Sequence, residues 1–140
     1  LAPATGIPAE RRKAVLGLAD MFTREGVRNF IYSDTIPNAW PEKKFDRTDP
    51  GFALFLGTQL STAPESLAQT YRMLANLDLE PAMASLTCLT TFVAGTYDMA
   101  RTPALVRQAS EKIPESCFLE ISSGHFMALQ TPDIISKLLL

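Results

Sequence analysis

Two side chains of this sequence are suited to acid–base chemistry in a shared site, those of Asp98 and His125. A carboxylate beside an imidazole can hold the ring in one tautomer and stabilise the protonated ring. His125 is the only histidine of the 140-residue chain, so any chemistry that needs an imidazole must use it. A single aspartate after a strand is commonly a turn or capping residue, and a single loop histidine is commonly only hydrogen-bonded, so the hypothesis rests on the pair.

The elements around these residues predict that the two side chains meet. Asp98 follows the apolar and β-branched run at 87–94, which Gly95 ends, and His125 follows a second run at 117–121. Functional residues of open α/β sheets collect just past the carboxyl ends of the strands. Adjacent parallel strands would therefore bring the two loops together.

Residues 86–140 alternate strand, helix, strand and helix, which predicts the parallel sheet of an α/β protein. Thr102-Pro103 and Thr131-Pro132 each predict an N-cap followed by proline at the first helical position. Pro114 ends the first of these helices. A parallel sheet normally has more than two strands and helices on both faces, so we expect further strands outside this sequence.

Residues 1–85 show helical periods separated by loop residues. The patterns predict helices at about 8–26, 27–32 and 52–60, another from Pro64, one further turn at 82–86, and a loop rich in proline and aspartate at 33–50.

Composition and charge narrow the class of protein. Hydrophobic residues make up 46% and charged residues 20%, and the net charge is −2, which is typical of a globular chain and argues against a nucleic-acid partner. The short cluster Arg11-Arg12-Lys13 fits a solvated helix face. No stretch reaches the roughly 18 apolar residues of a membrane span, and the first residues do not have the pattern of a signal peptide. We therefore expect a cytoplasmic protein.

The two cysteines, Cys88 and Cys117, lie in no metal-binding spacing. We expect both to be reduced thiols in the core, as in a cytoplasmic protein. Neither a metal nor an organic cofactor is implied.

Several segments in order resemble the α/β-hydrolases, and within them the group of 3-oxoadipate enol-lactonase-like esterases and lactonases. The resemblance lies in Val93-Ala94-Gly95-Thr96-Tyr97-Asp98 with Thr102-Pro103, in Ile113-Pro114-Glu115-Ser116, in Ser123-Gly124-His125-Phe126, and in Thr131-Pro132-Asp133. Leu89 stands where the family often has proline, and Thr90 and Thr91 where aliphatic residues are usual.

The resemblance implies that Asp98 is the acid and His125 the general base of a Ser-His-Asp triad, in the C-terminal portion of an α/β-hydrolase fold. The family's nucleophile precedes the acid on a Gly-x-Ser-x-Gly turn, which this sequence lacks, as it lacks the oxyanion-hole segment. Both would belong to a missing N-terminal half. Residues 1–85 then correspond to a helical cap with a preceding strand end, and 86–140 to the end of the core.

A cap of this kind supplies apolar walls for the substrate. The candidates for that lining are Trp40, Phe45, Phe52, Phe55, Met73, Met99 and Met127, although aromatic residues and methionines at helical spacing more often form plain core.

Two functions stay open. The first is hydrolysis of a small-molecule ester or lactone, with the nucleophile outside this sequence. The second is a non-catalytic fragment or binding module that pairs with the missing half or self-associates through an exposed sheet edge. Within the enzyme class, a haloperoxidase, a C–C bond hydrolase and a haloalkane dehalogenase remain alternatives, because the nucleophile that separates them is not in view.

Overall fold

The computed structural model describes residues 1–140. The helices are α1 (Ala9–Glu25), α2 (Arg28–Phe30), a π-helical segment (Ile31–Thr35), α3 (Ile36–Ala39), α4 (Pro50–Leu60), α5 (Pro64–Asn76), α6 (Glu80–Met83), α7 (Pro103–Ser110), α8 (Met127–Gln130) and α9 (Pro132–Leu139), and the strands are β1 (Thr91–Gly95) and β2 (Cys117–Ile121). None of the helices combines the length and the apolarity that crossing a membrane would need.

The helices of the first half pack around an apolar cluster of their own. The side chain of Phe22 on α1 is fully buried, and the rings of Phe30 and Tyr71 each lie edge-on to it, with centroids 4.9 Å away. Trp40 stacks on Phe55 at 5.4 Å in the same cluster. Because such large side chains remove much apolar surface from water, this cluster stabilises the helical half.

The second half forms a two-stranded parallel sheet. The register runs from Thr91 opposite Cys117 to Gly95 opposite Ile121. The backbone N–H of Ala2 donates to the carbonyl of Val93 at 2.8 Å, so the first residues of the chain lie along the other edge of β1. The predicted strand–helix–strand–helix unit of an α/β fold is confirmed.

The segments that enter and leave the helical half lie side by side. Gly6 and Asp78 form an antiparallel bridge, and the N–H of Leu79 donates to the carbonyl of Thr5 at 2.9 Å. We call residues 3–8 and 77–80 the hinge, because they join helices α1 to α5 to the sheet half.

The largest error in the predicted elements is the loop at 33–50, because its first part is helical. The N–H of Ile36 bonds the carbonyl of Ile31, five residues earlier, so the helix widens by one residue just before Pro37. Pro37 has no N–H to donate and therefore occupies the first turn of α3 without breaking a bond. Only the later part of the predicted loop lies outside helices.

Smaller differences concern the strand and the caps. β1 begins at Thr91 rather than 87, where Thr91 lies opposite Cys117, the first residue of β2. The N–H of Cys117 donates to the carbonyl of Thr90 at 2.9 Å, which is the first bond between the two strands. Neither Thr102 nor Thr131 caps its helix with its hydroxyl. The turn predicted at 82–86 lies at Glu80–Met83, and α8 was not predicted.

The prediction that both cysteines lie in the core is also wrong. Both Cys88 and Cys117 are free thiols, but both are exposed rather than in the core. Cys88 precedes β1, and Cys117 is the first residue of β2, a strand in which no residue is fully buried.

The buried phenol of Tyr71 makes the helical half less stable as the pH becomes alkaline. Burial, and secondarily the charge of Asp34, raise the pKa of Tyr71 above its ordinary value of 10.0, against an opposing effect of Arg101. The folded state therefore holds the phenol proton more tightly than the unfolded state does. The contribution of the protonated phenol to the free energy of unfolding is complete below about pH 10. It falls as the pH rises past 10 toward the pKa that Tyr71 has in the folded state.

We expect the urea midpoint to fall between pH 9 and pH 11 in the wild type and to fall less in Tyr71→Phe, which has no phenol to ionise. Denaturation curves followed by circular dichroism at both pH values measure this. Equal decreases in the two proteins would show that Tyr71 is not responsible.

Candidate active site

The Asp98 side chain is buried just beyond the end of β1, with 1% of the residue exposed. Its Oδ1 accepts hydrogen bonds from the backbone N–H groups of Ala100, at 2.8 Å, and Arg101, at 2.7 Å. A buried carboxylate is costly unless donors compensate the water it loses. These two donors fix the carboxylate and leave Oδ2 free for another partner.

That partner is His125, whose Nδ1 lies 2.7 Å from Asp98 Oδ2. An ionised carboxylate only accepts hydrogen bonds, so Nδ1 carries the proton in the neutral ring. The lone pair of the neutral ring is then on Nε2, which bonds no other residue of the chain. The His125 side chain is 30% exposed, so Nε2 remains open to a reacting group.

Backbone hydrogen bonds hold the two loops together. The N–H of Thr96 donates to Ile121 and that of Tyr97 to Ser123, both at 2.9 Å. Gly95 allows the approach, because a Cβ there would lie 2.5 Å from the carbonyl oxygens of both Ser123 and Gly124. Only a residue without a side chain fits at this position.

The helical half is also bonded to both loops. The carbonyl of Asn38 accepts from the N–H of Met99 at 3.3 Å, and the carbonyl of Ala39 accepts from Gln130 Nε2 at 3.0 Å. The Gln130 side chain occupies the space beside Gly124, directly before His125. Sequence reasoning missed Gln130, since an isolated glutamine at the end of a short helix carries no signal of this contact.

A cavity of about 610 Å³ lies between the helical half and the two loops. Most of its lining is apolar, and it includes Phe30, Leu67, Leu74, Met99, Phe126 and His125. It has the size and character of a small-molecule site. We call it the His125 cavity.

The structure places only Met99 of the seven predicted lining residues in this wall. Trp40, Phe45, Phe52 and Phe55 form the aromatic cluster inside the helical half, where Phe55 contacts Phe126 with ring centroids 4.6 Å apart. Met127 packs in the core of the sheet half, and Met73 is 55% exposed and lies outside the cavity.

No serine, threonine or cysteine of the chain hydrogen-bonds to the His125 ring. The nearest hydroxyl in sequence, that of Ser123, is buried and accepts a bond from Thr131 Oγ1 at 2.9 Å. The structure also contains no group of three His, Cys, Asp or Glu side chains that could hold a metal ion. The site as it stands is an imidazole oriented by a carboxylate, with no hydroxyl or thiol of the chain bonded to it.

Comparison with solved structures identifies the fold. A thermophilic esterase from Thermogutta terrifontis superposes with a TM-score of 0.84 at 24% identity, over 98% of this chain and 51% of that one. An enol-lactonase from Burkholderia xenovorans LB400 gives 0.84 at 20%, over 99% and 52%, and a hydrolase from Pseudomonas aeruginosa gives 0.83 at 16%, over 99% and 52%. No family model and no curated protein matches the chain.

These similarities confirm the α/β-hydrolase fold that the sequence predicts. At these identities they show the fold alone. The chain spans about half the length of each of these structures.

We expect Gly95→Ala to destabilise the fold by about 1–3 kcal/mol, because an added methyl group would press against two carbonyl oxygens and force the loops apart. The matched control is Gly57→Ala on α4, where an added Cβ meets nothing within 4 Å. That change should stabilise by about 0.5–1 kcal/mol through helix propensity. Urea denaturation of both variants measures the contrast, and a neutral Gly95→Ala would contradict the close approach.

Proposed function

We propose that this chain supplies the acid and the base of a serine-type hydrolase that cleaves an ester or a lactone. The observation that carries the proposal is the hydrogen bond between Asp98 and His125, made by a buried carboxylate and by a ring whose free nitrogen remains accessible. The enol-lactonase and esterase among the structural neighbours support this reaction class.

In this mechanism His125 Nε2 takes the proton of a serine hydroxyl as the oxygen attacks the carbonyl carbon. The same nitrogen then gives that proton to the leaving oxygen. Asp98 keeps the ring in the tautomer whose lone pair is on Nε2 and stabilises the positive charge that forms on it. Since no hydroxyl of the chain contacts His125, the serine belongs to residues outside these 140.

The His125 cavity supports a substrate that is mainly apolar near the reacting carbonyl. Its wall is formed by both the helical half and the Asp98 loop. Closing such a wall over a substrate excludes water from the reacting atoms and strengthens the electrostatic interactions there. The aromatic cluster behind the wall keeps the cap rigid rather than touching the substrate.

A second function, a binding module without turnover, is favoured by one specific observation. The cavity is formed within this chain, whereas the nucleophile is not. On this hypothesis the 140 residues bind an apolar ligand and leave it unchanged.

The two functions differ in what happens to a chromogenic ester such as p-nitrophenyl butyrate. We expect the 140-residue chain alone to bind the ester without a burst of p-nitrophenol, and the protein that includes the serine to hydrolyse it. A native protein of 15.4 kDa that binds the ester and has no partner chain would instead establish the binding module.

In the protein that carries the nucleophile, we expect His125→Ala to lower kcat by at least ~10³-fold, and Asp98→Asn to lower it by a comparable factor through the wrong tautomer. Steady-state hydrolysis of the same ester measures both. Lys137→Ala, at an exposed position of α9 outside the His125 cavity, is the control and should keep the wild-type rate. A near-normal rate in either site variant would reject that residue's role.

A further inference from the structure

A second cavity, of about 410 Å³, lies beside the hinge, between the start of α1 and the face of α7. We call it the hinge cavity. Unlike the His125 cavity, it has a mainly polar lining. Its side chains include four cations, Arg11, Arg12, Arg101 and Lys112, against two carboxylates, Asp78 and Glu80.

Three of these cations have no ionic partner in the protein. Lys112 pairs with Glu80, but no carboxylate lies within 4.0 Å of the guanidinium groups of Arg11, Arg12 or Arg101. Elsewhere in the chain, arginines such as Arg72 do form ion pairs, in that case with Asp20 at 3.0 Å. The chain as a whole is acidic, with a net charge of −2, so this positive lining is a local feature.

The positive lining joins parts of the chain that are far apart in sequence. Arg11 and Arg12 belong to the first turn of the cap, Lys112 follows α7 on the sheet half, and Arg101 lies in the loop after β1. A guanidinium group presents a planar set of donors that suits oxyanions, often in pairs of parallel hydrogen bonds.

We propose that the hinge cavity binds a small, multiply charged oxyanion, a phosphate group or a polycarboxylate, which bridges the cap to the sheet half. The cavity volume is within the range of small-molecule sites. The oxyanion pairs with the three arginines that have no carboxylate partner in the protein. This site is separate from the acid–histidine pair, because neither Asp98 nor His125 lines it.

Arg101 connects this anion site to the proposed catalytic one. Arg101 lines both cavities, and its backbone N–H donates to Asp98 Oδ1 at 2.7 Å. An anion that fixes the Arg101 side chain therefore also restrains the backbone that holds the buried carboxylate.

The test is a titration of the 140-residue chain with inorganic phosphate and, separately, with citrate, at constant ionic strength made up with sodium chloride. Isothermal calorimetry gives the affinity, and amide chemical shifts locate the site. We expect at least one of the two anions to bind saturably, with shifts at Arg12 and Lys112. Comparing the two titrations shows whether the cavity prefers a phosphate group or a polycarboxylate.

Arg12→Gln and Lys112→Gln are the deciding variants, because these residues line the hinge cavity and not the His125 cavity. Each should weaken the binding by about fivefold, which is the upper end of the range for losing one partly exposed ion pair. Lys13→Gln removes the same charge from the next position of α1, outside both cavities, and should keep the wild-type affinity.

The proposal is overturned if neither anion saturates, or if Lys13→Gln weakens binding as much as Arg12→Gln does, which would indicate a diffuse charge effect. Because the titration uses no ester, its failure leaves the proposed hydrolase function untouched. Thermal unfolding of each variant checks that a loss of binding is not a loss of fold.

Discussion

The site depends on one buried carboxylate and on the donors that make its burial possible. Asp98 is almost fully buried, and its oxygens accept from two backbone N–H groups and from His125 Nδ1. Without these donors the loss of hydration on burial would have no compensation. The loop geometry after β1, the position of the histidine loop and the absence of a side chain at Gly95 all serve this arrangement.

The helical half acts on the same two loops from the opposite side. Two carbonyl groups at the end of α3, those of Asn38 and Ala39, accept hydrogen bonds from Met99 N–H and from the Gln130 side chain. The π-helical segment directly before α3 gives that end its position, and wide turns of this kind are frequent at functional sites. The anion that we propose for the hinge cavity would add a second connection between the two halves, through Arg101.

The sequence predicts the sheet half well because the information there is local. The β-branched runs, prolines and glycines around β1 and β2 define the elements, and parallel pairing then brings Asp98 to His125. The cavity lining is less predictable, because helical spacing shows that Trp40 and Phe55 are buried but not against which surface. The contacts of Gln130 and the helical state of 33–39 depend on tertiary packing and on a shifted hydrogen-bond register, which local patterns do not encode.

The most direct test of the account is the protonation of the His125 ring, which is unambiguous because the chain has a single histidine. Proton and nitrogen NMR of the labelled imidazole in its neutral form shows which nitrogen carries the proton. We expect a slowly exchanging, downfield proton on Nδ1 and an unprotonated Nε2. A ring that is protonated at Nε2, or one that exchanges freely at both nitrogens, would contradict the pairing on which the site depends.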